Sequence, residues 1–219
     1  MRATVVRKRT MGNRPVGHEV PYHSQWESAD LVPDLLSGRV KAEDDPLWRR
    51  SGAEDPAEYA FWSWRICGMA CLRMALEHWG FETPGLVTLA REFLTAGAYV
   101  RRGDGVDGLI YAPFAEYAAK RWDIEAEVHG TLRVEEIPGF LDEGKLVMLS
   151  VHPSIREPDA VPPGRGGHLV LAVGCSPGYL RIHNPSGLPG ISQRSAEVPY
   201  EVLPRFFAGR GVTLGVGGR

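Results

Sequence analysis

Cys67 follows the aromatic run Phe61-Trp62-Ser63-Trp64 and opens a stretch, Cys67 to Trp79, in which Ala70, Cys71, Met74, Ala75 and Leu76 recur at three- and four-residue spacing. That period predicts a helix with Cys67 in its first turn and Gly80 as its C-cap. A thiol at a helix start faces the positive end of the macrodipole, which favours the thiolate and makes it nucleophilic. Gly68 beside it leaves room for a close approach. The alternative for any single cysteine is a small buried hydrophobe. Cys71, one turn further in among Leu72, Met74 and Ala75, is read as core, and Cys175, before the turn Ser176-Pro177-Gly178, as incidental. Cys67-x3-Cys71 lacks the two-residue spacing of zinc or dithiol sites, and no second pair completes a cage, so no metal site is expected.

His168 opens the apolar run Leu169 to Gly174, and Asn184 closes the next one, Tyr179 to Ile182. A hairpin centred on Ser176 sets His168 opposite Asn184, within side-chain reach. A base held by an Asn side chain is what a cysteine nucleophile requires. The alternative is a satisfied surface histidine beside an Asn-Pro turn. His183 precedes Asn184, so strand alternation points it to the other face. His78 lies near a helix C-terminus, where a cation suits the dipole. His18, His23, His129 and His152 have no spaced partner. Gln25, in Val20-Pro21-Tyr22-His23-Ser24-Gln25-Trp26, carries an amide able to donate to an oxyanion, although a loop glutamine is ordinarily solvated. Trp26, Trp62 and Trp64, with Gly167, are expected to line a substrate groove; core packing is the alternative for the tryptophans. Gly103-Asp104-Gly105 is a turn, since it lacks the Lys and the strand–turn–helix setting of a phosphate loop.

The elements that must position these residues change character along the chain. After Cys67 to Trp79, Thr83-Pro84 opens a second helix that ends before Gly97, and a third runs from about Gly108 to Trp122. Strands are expected at Ile124–Val128, Leu146–Val151, Leu169–Gly174, Tyr179–Ile182 and Gly211–Val216, with short helices at about Val134–Asp142 and Glu201–Phe207. Helices first and an antiparallel sheet after them predict an α+β fold. Residues 1–19 read as a basic, flexible lead-in to one domain, residues 20–219. Within it, residues 27–62 are acidic, proline-bearing and punctuated by tryptophan. They carry helix starts at Ser28 and at Asp55-Pro56-Ala57-Glu58, and read as an insert that lines or caps the cleft.

Composition narrows the class. The 219 residues include 25 Lys+Arg and 27 Asp+Glu, a net charge of −2, which gives no basic excess for phosphate-backbone binding and argues against nucleic acid. Three cysteines point to a reducing compartment rather than a disulfide framework. The N-terminus has no apolar signal core and no run of 18 apolar residues occurs, so a cytoplasmic protein with no membrane partner is expected.

Several separate segments resemble one family. Cys67-Gly68-Met69-Ala70-Cys71-Leu72-Arg73-Met74, followed by Gly80, resembles the nucleophile helix of the bacteriocin-processing, papain-like cysteine peptidases that cut double-glycine leaders. Val20-Pro21-Tyr22 to Gln25 is similar to the family's Gln segment. Gly167-His168-Leu169-Val170 and Ile182-His183-Asn184-Pro185-Ser186-Gly187 are similar to its His strand and its Asp/Asn-Pro segment. The resemblance spans about residues 20–190. It implies a papain-like fold with a helical first lobe and an antiparallel second lobe. It also implies Cys67 as nucleophile, His168 as base and then acid, Asn184 as its orienting partner, and Gln25 with the Cys67 amide as oxyanion hole. The implied reaction is cysteine-type peptide hydrolysis through a thioester on a peptide or protein substrate, without a cofactor. Acyl transfer by the same residues (a transpeptidase or amidase) and a catalytically inactive peptide-binding module are the rivals. Two departures stand out: Gln25 precedes Cys67 by 42 positions, and Asn184 stands where bacteriocin-processing members have Asp.

Overall fold

A computed structural model describes residues 15–157 and 159–217. The first half of the chain is helical: α1 (Val32–Leu36), α2 (Pro56–Ser63), α3 (Cys67–His78), α4 (Leu86–Thr95) and α5 (Tyr111–Trp122). Asp55 caps α2, its Oδ1 accepting from the Glu58 amide at 2.8 Å. In α3 the residues from Gly68 to Leu76 are buried, save Arg73, which turns outward and donates Nε to Glu77 at 2.8 Å. Gly80 ends that helix at φ +82°, and the Phe81 amide returns to the Leu76 carbonyl at 3.0 Å. That closure needs a left-handed residue, which a glycine adopts without strain.

The second half forms an antiparallel sheet. Its strands are β1 (Val16–Gly17), β4 (Glu125–His129), β5 (Leu146–Val151), β6 (His168–Ser176), β7 (Tyr179–His183), β8 (Ala196–Pro199) and β9 (Phe207–Gly215); a separate ribbon pairs β2 (Arg101–Arg102) with β3 (Gly105–Val106). The main path is β4-β9-β5-β6-β7-β8, and β1 extends β6 beyond the end of β5. Alternation on β6 divides the core. Leu169, Leu171 and Val173 face the helices. Val170, Ala172 and Cys175 face a second cluster that includes Ile137 and Leu141 of α6 (Ile137–Asp142). The central strand is therefore apolar on both faces, as a strand covered on both sides must be. No helix among the described residues is long and apolar enough to cross a membrane.

The fold is the mixed helical and antiparallel arrangement expected, with particular differences. Val16–Gly17 pairs with Cys175–Gly174, so the sheet takes in the end of the stretch read as a lead-in; residues 1–14 lie outside the described residues. The helix expected at Glu201–Phe207 is a single turn, Leu203–Arg205, and Phe207 already belongs to β9. The β6–β7 hairpin turns at Pro177-Gly178 rather than on Ser176, and an irregularity between Ala172 and Gly174 then shifts the pairing by one residue, so that Leu171 pairs with His183. Next to the turn the register differs by three residues from one centred on Ser176, and past the irregularity by two. A two-residue shift preserves side-chain parity, so Asn184 stays on the His168 side and His183 on the other.

The 27–62 segment is not a detachable cap. Its Val32, Leu35, Ala42, Tyr59 and Trp62 belong to the main core. Asp45 is fully buried inside it, accepting from the Ser28 hydroxyl at 2.6 Å, the Leu47 amide at 2.9 Å and the Tyr59 hydroxyl. The Ser28 hydroxyl therefore serves Asp45 instead of capping the following turn.

Candidate active site

Cys67 is the first residue of α3 and is half-buried. Gly68 follows, and a Cβ there would lie 2.7 Å from Leu109 Cδ2 and 3.1 Å from Leu169 Cδ1, so a larger residue would have to push those side-chain ends aside. Burial pushes the Cys67 thiol above its ordinary range, and backbone hydrogen bonds at Leu169, Gly68 and Cys67 itself pull it back. Desolvation thus outweighs the helix-start effect, contrary to the expectation of a thiolate favoured by the dipole. Cys71, one turn on, is fully buried, and its Sγ reaches the Leu169 carbonyl at 3.6 Å, joining α3 to β6. Cys175 is buried in the second core cluster.

His168 begins β6 and is 6% exposed. Its Nε2 lies 2.8 Å from Asn184 Oδ1. An amide oxygen only accepts, so Nε2 carries the proton and the neutral ring leaves Nδ1 with a lone pair. Burial, with a smaller contribution from the Arg156 charge, lowers the His168 pKa to about 4, while the bond to Asn184 opposes the shift. Asn184 Oδ1 is held in turn by the Ser186 amide at 3.1 Å, and the Asn184 Nδ2 is buried with no partner among the described residues. Ser186 Oγ stands 3.2 Å from His168 Nε2.

His183 is spent structurally. Nδ1 accepts from the Ser195 amide at 3.0 Å, which puts the proton on Nε2, 2.9 Å from the Val20 carbonyl.

The Gln25 segment is stitched to the Asn184–Pro185 turn. The Gln25 amide and the Ser24 hydroxyl donate to Pro185 O, each at 2.9 Å, and the Tyr22 hydroxyl to Asn184 O at 3.0 Å. These bonds seat Gln25 without help from its distance along the chain. Its Nε2 donates one hydrogen to Ser63 O at 2.8 Å. The second N–H is uncommitted.

Gln25, Cys67, His168, Gly167, Trp26 and Trp64 line one cleft of about 570 Å³, within the usual range for binding sites. Trp26 packs edge-on against Trp64 at 4.9 Å between centroids, and Trp64, 47% exposed, forms the rim. Trp62 does not join them. It is 1% exposed and meets Tyr99 in the core, because α2 turns it inward.

Several lining residues were not singled out from the sequence: Leu109 and Asp107 beyond the β2–β3 ribbon, Ser150, Arg156, Ser186 and Arg210. Ser186 sits in the quoted Asn184-Pro185-Ser186-Gly187 run and could have been found there. The others reach the cleft only through tertiary folding.

A thiol, a neutral imidazole with a free lone pair and a spare amide donor in one cleft are the groups nucleophilic acyl chemistry uses. A model of the Peptidase_C39 like family matches residues 19–195. A double glycine motif protease from an AMS/PCAT transporter, solved in complex with the leader peptide, superposes with a TM-score of 0.51 at 17% identity, covering 93% of this chain and 98% of that one. A C39-like protein from Bacillus anthracis superposes with a TM-score of 0.57 at 14% identity, covering 94% and 100%. At these identities the likeness shows the fold. No curated protein matches the sequence.

Proposed function

The chain belongs to the Peptidase C39-like family, which supports a cysteine peptidase function, and on that premise we propose that it cleaves a peptide bond with Cys67 as nucleophile. The observation that carries this reading is the 2.8 Å contact between His168 Nε2 and Asn184 Oδ1, in the cleft that Cys67 also lines. With Nε2 protonated, Nδ1 is the basic nitrogen. His168 removes the thiol proton as Cys67 Sγ attacks the scissile carbonyl carbon. The oxygen of the tetrahedral adduct receives the Cys67 backbone N–H and the spare N–H of Gln25. The adduct collapses to a thioester, the C–N bond breaks, and His168 passes its proton to the leaving amine. Water, deprotonated by His168, then attacks the thioester and returns Cys67 to a thiol.

Asn184 serves as the orienting partner. Its Oδ1 fixes the ring tautomer and, being neutral, lends the imidazolium less support than a carboxylate would. Trp26, Trp64 and Gly167 form the walls of a groove for an extended peptide. The AMS/PCAT protease, solved with its leader peptide, supports a peptide or protein as the substrate here.

The test is single-turnover incubation with a peptide library followed by intact-mass spectrometry. A thioester adduct on Cys67, absent from the Cys67→Ala protein, is expected. Products formed equally by wild type and Cys67→Ala would overturn the proposal.

A further inference from the structure

Two guanidinium groups flank His168 and neither has a carboxylate partner among the described residues. Arg156 ends the turn Pro153–Arg156 and donates Nη2 to Ser186 Oγ at 3.0 Å; that hydroxyl stands 3.2 Å from His168 Nε2. The Arg156 Nε is buried with no hydrogen-bond partner among the described residues. Arg210, on β9, comes in beside the segment that leads into β6. A Cβ on Gly166 would lie 3.2 Å from Arg210 Nη2 and 3.1 Å from Ser150 Oγ, so a glycine there keeps the guanidinium against the approach to His168. Both arginines line the cleft.

The remaining charges of the cleft are already engaged. Asp107 pairs with Arg102 at 2.9 Å, and Arg65 lies 4.3 Å over the Phe61 ring. The wall around His168 therefore presents two guanidinium groups outside any ion pair among the described residues, Arg156 half-buried with Glu157 beside it in the chain and Arg210 exposed at the cleft edge. A part-buried guanidinium without an anion is costly to keep, and burial holds Arg156 below the usual arginine range. A carboxylate is the small anion whose two oxygens match such donors.

We propose that Arg156 and Arg210 bind a carboxylate of the substrate beside His168, making the chain selective for peptides whose leaving half is acidic. The proposal rests on His168 acting as the acid for the leaving amine, since groups around that imidazole then meet the leaving half. The carboxylate comes either from the peptide's C-terminus or from an Asp or Glu side chain.

Affinity selection on the full-length chain carrying Cys67→Ala separates these sources. Three pools of N-acetylated random octapeptides serve as probes: amidated without Asp or Glu, the same with a free C-terminus, and amidated with one Asp or Glu. Retained peptides are quantified by mass spectrometry. At least one carboxylate pool is expected to be retained about tenfold over the neutral pool, a difference of one decade in affinity, and Arg156→Gln and Arg210→Gln should each erode that preference. The favoured pool identifies the carboxylate. Equal retention of all pools, no retention from any, or a preference that survives both arginine replacements would overturn the proposal. Cleavage of the same pools by the wild-type protein is read separately. Retained preference without cleavage defeats the peptidase reading alone, and cleavage without preference defeats the carboxylate site alone.

Discussion

His168 Nε2 and Asn184 Oδ1 are 2.8 Å apart, although their strands are not paired at those positions. β7 ends at His183, and the chain then bends through Asn184-Pro185, the Gly187 amide closing on Asn184 O at 2.9 Å. The contact is made by a turn that leaves the sheet, and the Ser186 amide holds the Asn184 oxygen in place. Replacing Asn184 should therefore disorient His168 without removing it. His168→Ala is expected to abolish turnover. Asn184→Ala should lower kcat by about one to two decades, on the scale of a lost orienting hydrogen bond to a charged ring. Asn184→Asp should raise the His168 pKa by about 1–3 units, as a carboxylate beside an imidazole does. Titration of the His168 ring by NMR checks this; an unchanged titration in Asn184→Asp would refute the tautomer assignment.

The lowered His168 pKa makes a stability prediction. The folded value is about 4 against an ordinary histidine value of 6.5, so between those pH values the unfolded chain binds a proton that the folded chain does not. Stability from this group is intact above about pH 6.5 and falls as the pH drops toward 4, by about 3 kcal/mol in total. Urea unfolding of wild type and His168→Gln across pH 4–7 measures it. The wild type should lose more stability than the variant over that window, and parallel curves would contradict the assignment.

Cys67 and His168 are shifted in opposite directions, the thiol up and the imidazole down. Both shifts favour a neutral resting pair. Iodoacetamide labelling of Cys67 should be slow at pH 6 and accelerate steadily into the alkaline range. Cys71 and Cys175, each at most 1% exposed, should be spared. Peptide mapping after timed alkylation decides the matter; a fast, pH-independent Cys67 reaction would instead mark a preformed thiolate.

Asp45 holds the 27–62 segment together by accepting from Ser28, Leu47 and Tyr59. Asp45→Ala leaves these donors without their acceptor and should cost about 3 kcal/mol, the upper range for an unsatisfied buried group. Deleting residues 30–55 removes Val32, Leu35 and Ala42 from the core and should prevent folding rather than merely change specificity. Thermal melts of the two variants give the answer, and a deletion protein melting like wild type would show the segment to be dispensable.

Gly68→Ala should leave the fold nearly intact, since the closest atoms to the new Cβ are the mobile ends of Leu109 and Leu169. A loss of about 1 kcal/mol is expected. Leu109 lines the cleft, so its displacement should raise KM more than it lowers kcat.

The sequence by itself determined the helix that starts with the nucleophile candidate, and it named the candidate residues that the fold brings into one cleft. Local rules suffice there: the apolar period from Cys67 to Leu76, the Gly80 stop and the Asp55-Pro56 start all reappear in the helices. That His168 and Asn184 share a face was expected from the hairpin, but after the turn moved to Pro177-Gly178 it is the irregularity between Ala172 and Gly174 that restores this parity. What the sequence could not show was where separate segments converge. Trp62 and Trp64 are two residues apart, yet one enters the core and the other rims the cleft, since helix rotation against a packed neighbour decides exposure. The reach of Gln25 across 42 positions depends on bonds to Pro185, far along the chain. Arg156 and Arg210 lie on separate stretches and share a cleft with His168 only because β5, β6 and β9 are adjacent in the sheet. The sign of the Cys67 shift was likewise tertiary. A helix start pulls a thiol down by a local field, but the burial that overrides it arises only in the packed fold.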